Sequence, residues 1–311
     1  MEIFRIPTDR PPARPRVIAL GFFDGMHIGH AALLAAARRE GDRLGCETAV
    51  FSFSEDSSFK PHAPRLLSEE ERLSLMEEQG IDAVFLYDFA AIRDLSPAHF
   101  AEEILVRDLS AAAVCCGYNF RFGACAAGDP DCLRTLLAAH RIPLVILQAQ
   151  CVAGETVSAS AIRRALAAGD AEGAARMLGR PYTVRGCVAH GKELGRRIGA
   201  PTANLPISRG MVVPAHGVYA ALGYLEGEEQ PHPGVANIGV RPTVDEDGTP
   251  NCETHFLDDV GDIYGRPLAV SLLHRLRGEI RFETIDALRA QIARDASNAK
   301  EYIQQWQNGQ S

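Results

Sequence analysis

Two histidines three residues apart, His27 and His30, sit in the glycine-rich string GFFDGMHIGH, Gly21 to His30. On a helical turn that spacing lets both imidazoles face one bound group. There they can hydrogen-bond a triphosphate and steady charge on a reacting phosphoryl group. Gly21, Gly25 and Gly29 let backbone approach a phosphate closely, and a helix opening behind them aims free N–H groups at an anion. Read without its neighbours, an H-x-x-H pair is more often two surface histidines in a turn. The ten-residue string between a strand and a helix argues for the ligand site. Further on, Val157 to Arg164 (VSASAIRR) places Ser158 and Ser160 at a helix start, where they can cap and donate hydrogen bonds, with Arg163 able to pair with phosphate. By itself that string is a capped helix.

The chemistry needs elements to hold it. The chain has 311 residues, which suggests two domains. In the first half β-rich runs alternate with helical ones. Val17–Gly21, Thr48–Phe53, Ala83–Tyr87, Ala112–Cys116 and Leu144–Leu147 read as strands. Ala31–Leu44 reads as a helix, and so does the stretch near Pro130–His140. Ser68 with Glu71 forms a capping-box pattern for a helix to Gln79. Ser96 and Pro97 start another, to about Leu109. This alternation implies a parallel sheet covered on both faces, with ligands beyond its carboxyl ends. After about Pro181 helical periodicity fades into short runs punctuated by Gly and Pro, the pattern of an antiparallel barrel or sandwich. A final helix follows at about Ile285–Gln305. The expected division is therefore 1–180 and 181–311.

Composition narrows the partners. A formal net charge of −8 disfavours a nucleic-acid partner held by phosphate contacts, while leaving room for a local basic pocket. No apolar run approaches the roughly 18–20 residues of a membrane span, so no membrane partner is expected. The opening residues contain no apolar stretch like that of a secretory signal. None of the eight cysteines forms a C-x-x-C pair, so reduced core thiols in a cytoplasmic protein are expected rather than disulfides or a zinc site.

Taken together, these strings resemble a known family. H-x-G-H after a first strand looks like the nucleotidyltransferase superfamily. The longer G-x-F-D-G-x-H-x-G-H is similar to the FMN adenylyltransferase module of bacterial bifunctional riboflavin kinase/FAD synthetases. Gly117–Gly123 (GYNFRFG) with Gly128 and Asp129 resembles that family's flavin-side segment, which implies flavin-binding roles for Asn119, Arg121 and Asp129. VSASAIR resembles its S-S-T-x-I-R motif near the ATP phosphates. Gly191 to Asn204 (GKELGRRIGAPTAN) resembles the riboflavin kinase string G-x-x-x-G-R-x-[LI]-G-[FW]-P-T-A-N. The resemblance makes Gly191, Lys192, Gly195 and Arg196 a flap over nucleotide phosphates. It puts Thr202 and Asn204 at a magnesium–nucleotide complex. Asn237–Thr243 (NIGVRPT), Glu253–Asp258 (ETHFLD) and Asp262–Gly265 (DIYG) follow in the family's order. By that match Glu253 is the catalytic base, although alone it reads as an exposed strand residue, and Arg277 lies near the flavin.

The implied fold is an α/β nucleotidyltransferase-like, Rossmann-like first domain and a riboflavin kinase-like all-β barrel with a terminal helix. The implied function is phosphorylation of riboflavin by ATP to FMN, then adenylylation of FMN to FAD with pyrophosphate release. His27, His30 and Glu253 would be the catalytic residues. Gly21, Phe23, Asp24, Gly25 and Gly29 would join the nucleotide-binding set, with Mg²⁺ as cofactor and riboflavin, FMN and ATP as ligands. Oligomeric state is not legible in the sequence. This chain departs from the family's T-F-x-P-H-P after the second strand, where it has Ser52–Ser57 (SFSEDS) and a later Pro61-His62-Ala63-Pro64. Ala159 softens the S-S-T core, and Ala200 replaces an aromatic residue. The alternative is a riboflavin kinase with a non-catalytic flavin-binding or regulatory first half. Other H-x-G-H enzymes leave the barrel unexplained, and no K-M-S-K-S follows.

Overall fold

The computed structural model of the chain describes residues 1–55, 63–189, 202–240 and 248–309. It divides into two compact units, Met1–Ala159 and Ser160–Ser311.

The first unit runs β1 (Glu2–Ile6), β2 (Arg16–Leu20), α1 (Ile28–Leu44), β3 (Glu47–Phe53), α2 (Glu69–Glu78) and β4 (Ala83–Tyr87). Two short helices follow, α3 (Phe89–Ile92) and α4 (Pro97–His99), the second continuing into a π-helical stretch, Phe100–Asp108. Then come β5 (Ala111–Gly117), α5 (Pro130–Ala138), β6 (Leu144–Leu147) and the small hairpin β7 (Cys151–Val152) and β8 (Glu155–Thr156). Six strands form one parallel sheet in the order β1-β4-β3-β2-β5-β6. β2 and β4 are buried from end to end, as strands covered on both faces must be. Ile18, Leu20, Phe51 and Phe85 build one core with Leu105, Leu133 and Leu137. Val17, Ala19, Val50 and Val84 build the other with Leu34 and Met76. The adjacent Cys116 and Cys115 go to opposite cores, and burial pushes each thiol up to about 12. Ser68 and Glu71 form the expected capping box, and Ser96 caps α4 ahead of Pro97. The edge strand β1, which the sequence pattern does not announce, pairs with β4 and is largely exposed, so its residues carry little apolar alternation.

α6 (Ala159–Ala168) begins at the division, and α7 (Ala171–Leu178) follows. The second unit then forms β9 (Tyr182–Cys187), β10 (Ala203–Pro206), β11 (Gly217–Leu225), β12 (His232–Val240), β13 (Pro250–Phe256), β14 (Pro267–Arg277) and α8 (Ile285–Asn308). The strands pair antiparallel in the order β10-β13-β12-β11-β14-β9. An isolated bridge between Ala189 and Asn204 carries the chain beyond β9 back to β10, so the six-stranded barrel nearly closes. α8 packs Ala299 and Ile303 on Ala220, Leu222 and Leu273. The Asp295 carboxylate of α8 accepts from Nε and Nη2 of Arg277, tying the helix to the end of β14.

The sequence's change of texture points to 180/181, yet the compact units divide earlier, at Ala159 and Ser160. The reason lies in α7, which packs against β9 and β14 and buries Ala171, Ala174, Met177 and Leu178. Its Glu172 accepts from Tyr302 Oη at 3.1 Å and lies 2.8 Å from His274 Nδ1. A fragment from Ser160 to the end is therefore expected to unfold as one cooperative unit in urea. A fragment starting at Tyr182 should lose about 3–6 kcal/mol, the worth of burying two large apolar side chains. Equal urea midpoints for the two fragments would contradict this assignment of α7.

Candidate functional site

The order of the parallel sheet reverses between β2 and β5. From β2 the chain goes on to β3 and β4 on one side, while β5 and β6 lie on the other. At such a switch point the loops leave in opposite directions and open a crevice beyond the carboxyl ends. Leu20 pairs with Cys116, so Gly21 and Gly117 leave the sheet side by side. The string Gly21–His30 thus flanks the crevice on one side and Gly117–Gly123 on the other.

The first loop is tightly built. Phe23, Gly25 and Met26 all have positive φ, at 60°, 83° and 41°. For Phe23 and Met26 that is strained backbone, which persists only where surroundings over-determine it. Here both side chains are buried in the core, Met26 N–H donates to Phe23 O, and Asp24 Oδ1 accepts from Leu66 N–H at 2.9 Å. His27 caps α1, its Nδ1 accepting from His30 N–H at 3.2 Å. An accepting Nδ1 carries no proton, so a neutral His27 holds its proton on Nε2. The His27 and His30 rings stack with centroids 3.6 Å apart. Gly29 makes room for this, since a Cβ there would sit 3.2 Å from His27 Nδ1.

Arg72 went unnoticed in the sequence, where it looks like one more charge on an acidic helix. It is 3% exposed. Nη1 donates to Phe22 O at 2.7 Å and to Ser52 Oγ at 3.1 Å, while Nη2 donates to Phe53 O at 2.7 Å. One guanidinium from α2 thereby braces both the glycine-rich loop and the end of β3, the place of the departed T-F-x-P-H-P. Burial lowers its pKa, opposed by Glu69 and Asp24. Pro61 and His62 lie outside the described residues.

Across the crevice, the Asn119 side chain folds back toward Gly117, its Oδ1 3.3 Å from where a Cβ would stand. Arg121 and Asp129 pair at 3.5 Å on the surface. Asp129 also caps α5, and the bond from Cys132 N–H, outweighing desolvation and helped by Arg121, holds its carboxyl below the ordinary value. Gly128 is required because the Phe122 ring lies 2.5 Å from its missing Cβ. Ser158 immediately precedes α6, whose first turns carry Ser160 and Arg163.

In the barrel, strand alternation sorts β13 into two faces. Cys252, Thr254 and Phe256 are buried inside, and Asn251, Glu253 and His255 lie on the other face. Register sets Glu253 between Asn204 of β10 and Asn237 of β12. Asn251, unremarked in the sequence, donates from Nδ2 to Asn204 Oδ1 at 3.1 Å and to Glu253 Oε1 at 3.3 Å. The Asn204 amide donates in turn to Thr202 O at 3.4 Å. Thr202 lines an open cleft with Val188, Phe256 and Asp258–Tyr264. On its rim Asp258 lies 2.9 Å from His232 Nδ1, while Glu228 lies 2.7 Å from His232 Nε2. Burial works against a charged His232, but these two carboxylates outweigh it and raise its pKa. Arg277, expected near a flavin, uses Nε and Nη2 on Asp295 and Nη1 on Gly278 O. Gly191, Lys192, Gly195 and Arg196 lie outside the described residues, as do Arg241–Thr243.

A family model described as FAD synthetase matches residues 9–161, and one described as riboflavin kinase matches residues 178–303. A bifunctional riboflavin kinase/FMN adenylyltransferase from Pseudomonas fluorescens is 39% identical, over 94% of each chain. The protein of that name from Escherichia coli K12 is 38% identical over 94% of each chain, and that from Listeria monocytogenes 32% over 96% of each. A solved structure described as a macrolide-efflux protein from Streptococcus pneumoniae has a TM-score of 0.86 at 26% identity, covering 96% of this chain and 99% of that one. Among the described residues, no helix is long and apolar enough to cross a membrane.

Arg72 yields a direct test of how the first site is held. Arg72→Met keeps much of the volume but removes the guanidinium's hydrogen bonds to Phe22 O, Phe53 O and Ser52 Oγ. Its expected cost is about 2–4 kcal/mol of stability in the first unit, read from urea unfolding. A change below about 0.5 kcal/mol would show that the guanidinium does not brace the loop.

Proposed function

The chain belongs to the family of bifunctional riboflavin kinase/FMN adenylyltransferases, and from that premise we propose which of its residues carry each reaction. It is a flavin-biosynthesis enzyme of two activities, phosphorylating riboflavin with ATP and adenylylating the resulting FMN to FAD. The observation that carries the assignment is the pairing of Glu253 with a row of amides in the barrel, and of the two histidines with the switch point of the parallel sheet.

In the kinase half, Glu253 takes the proton from the terminal ribityl hydroxyl as that oxygen attacks the γ-phosphorus of ATP. ADP leaves, and FMN is formed. The half-buried carboxylate, flanked by Asn204 and Asn237, is acceptor-only when ionised, as a base must be. The cleft beside Thr202 suits the adenosine end of ATP. Its rim of Asp258, Asp259 and Asp262 repels phosphates, which then extend toward Thr202 and Asn204. The hydroxyl of Thr202 and the amide oxygen of Asn204 are hard donors that fit magnesium, which supplies charge neutralisation on the phosphates. By the family resemblance Gly191, Lys192, Gly195 and Arg196, outside the described residues, belong to the nucleotide-binding set. Arg277 acts on the flavin side by holding α8 in place through Asp295.

In the adenylyltransferase half, an FMN phosphate oxygen attacks the α-phosphorus of a second ATP, and pyrophosphate leaves. His27 donates from Nε2 and His30 stands beside it, stabilising charge that grows on the transferring group. The N–H groups opening α1 and the glycines at 21, 25 and 29 receive phosphate. Phe23 and Asp24 shape that loop. Ser158, Ser160 and Arg163 hold the ATP phosphates, while Asn119, Arg121 and Asp129 take the flavin side. With ATP as substrate and exposed thiols at Cys125, Cys151 and Cys187, a cytoplasmic setting fits the chain.

Two measurements check the assignment. Glu253→Gln should lower riboflavin phosphorylation about 10²–10⁴-fold while FMN adenylylation stays near normal. His27→Ala should lower adenylylation about 10²–10³-fold and spare the kinase. Each variant is assayed from riboflavin and, separately, from FMN. Equal damage to both reactions in folded protein would refute separate sites, and intact FAD formation by His27→Ala would favour a non-catalytic first half. Exhaustive EDTA treatment should abolish FMN formation and Mg²⁺ should restore it. Activity surviving chelation would contradict the metal requirement.

A further inference from the structure

Asn251 is 2% exposed, yet within the described residues its Oδ1 has no hydrogen-bond donor. A buried carbonyl left so costs about 1–3 kcal/mol, and each one calls for a reason. Its cross-strand neighbours explain the shortage. On β10 it faces Pro206, which has no N–H, and on β12 it faces Gly239, which has no side chain. A leucine there would fill the same space without an unsatisfied atom. Stability is therefore not what the amide contributes.

Its nitrogen contributes something else. Two acceptors converge on Nδ2, the Oδ1 of Asn204 and the Oε1 of Glu253. Turning the amide over would set its oxygen against a carboxylate and a second amide oxygen. So long as Glu253 is ionised, Asn251 has one favourable orientation. One amide thus fixes the carboxylate by Oε1 and the Asn204 amide by its oxygen. The second carboxylate oxygen, Oε2, is left to take a proton, and Asn204 Oδ1 keeps its other lone pair. Among the described residues, the other titratable groups on this face are His255, two residues along β13, and Glu279, which reaches over Gly239.

We propose that Asn251 is a positioning residue for riboflavin phosphorylation, holding the base Glu253 and the phosphate-side Asn204 in one register through a single shared amide nitrogen. This rests on the reading of Glu253 as the base.

The test uses the full chain with riboflavin, ATP and Mg²⁺, and three variants. Asn251→Leu removes the shared donor and the orphan carbonyl together. Its urea midpoint should equal or exceed that of the parent. Its kcat for FMN formation should fall about 10–100-fold, with KM values moving less, since a misplaced base slows chemistry more than binding. Asn251→Asp keeps the shape but puts a second carboxylate against Glu253. Its kcat should fall at neutral pH and recover at higher pH, the acid limb of the rate profile moving up because a neighbouring negative charge disfavours ionisation of the base. Glu253→Gln, in parallel, separates the two claims. If it retains full rate, the base assignment fails. If it is inactive while Asn251→Leu keeps the parent kcat, the positioning role fails and the base stands. An Asn251→Leu protein that loses both stability and kcat, beside an Asn251→Asp protein with an unmoved acid limb, also overturns the proposal. Should Asn251→Leu not fold, the pH profile of Asn251→Asp decides alone.

Discussion

Strand register is the constraint on which both sites depend. Inter-strand hydrogen bonds decide which residues stand side by side, and a slip of one residue turns a strand's whole set of side chains to the other face. In the parallel sheet, the pairing of Leu20 with Cys116 brings the histidine loop and the Gly117–Gly123 loop out together. In the barrel, the pairings of Glu253 with Asn204 and Asn237 assemble three polar residues from three strands. Neither constellation is local in sequence. Each is a consequence of hydrophobic alternation that holds the register, through Val17 to Leu20 in one half and Cys252, Thr254 and Phe256 in the other.

Around that framework, the sites carry costs that the cores offset. The histidine loop keeps two non-glycine residues at positive φ, and the barrel keeps a carbonyl that has no donor among the described residues. Deviations of this kind cost on the order of 1–3 kcal/mol each and cluster where geometry serves chemistry. The loop is held by Arg72 from below and by Phe23 and Met26 in the core. The barrel row is held by the bridge from Ala189 to Asn204, which sets the end of β10 beside Glu253.

Local signals were legible, because capping requires particular residue types at fixed spacing. Ser68 with Glu71 forms the capping box its spacing announced, and Ser96 caps the helix ahead of Pro97. The strands from Ala83 to Tyr87 and from Gly217 to Leu225 could be read from composition alone, since a buried strand is a continuous apolar run. Residues that act through long-range contacts were not legible. Arg72 looks like a solvated charge until α2 packs beneath the loop, and Asn251 looks like a turn residue until β10 is placed beside it. The pairing of Arg277 with Asp295 of α8 is another such contact, invisible until the helix is placed. The packing of α7 is hidden for a related reason. Helical periodicity in α7 reveals an apolar face but not which sheet will cover it.

The central claim is that one chain holds two independent sites, linked by FMN that one half makes and the other consumes. The most direct measurement is complementation in one vessel. Glu253→Gln protein and His27→Ala protein are mixed with riboflavin, ATP and Mg²⁺, and FAD is followed over time. The account predicts that neither variant alone forms FAD at an appreciable rate, and that the mixture does so after a lag while FMN accumulates. A mixture that forms no more FAD than its components, with both proteins folded and FMN present, would contradict it.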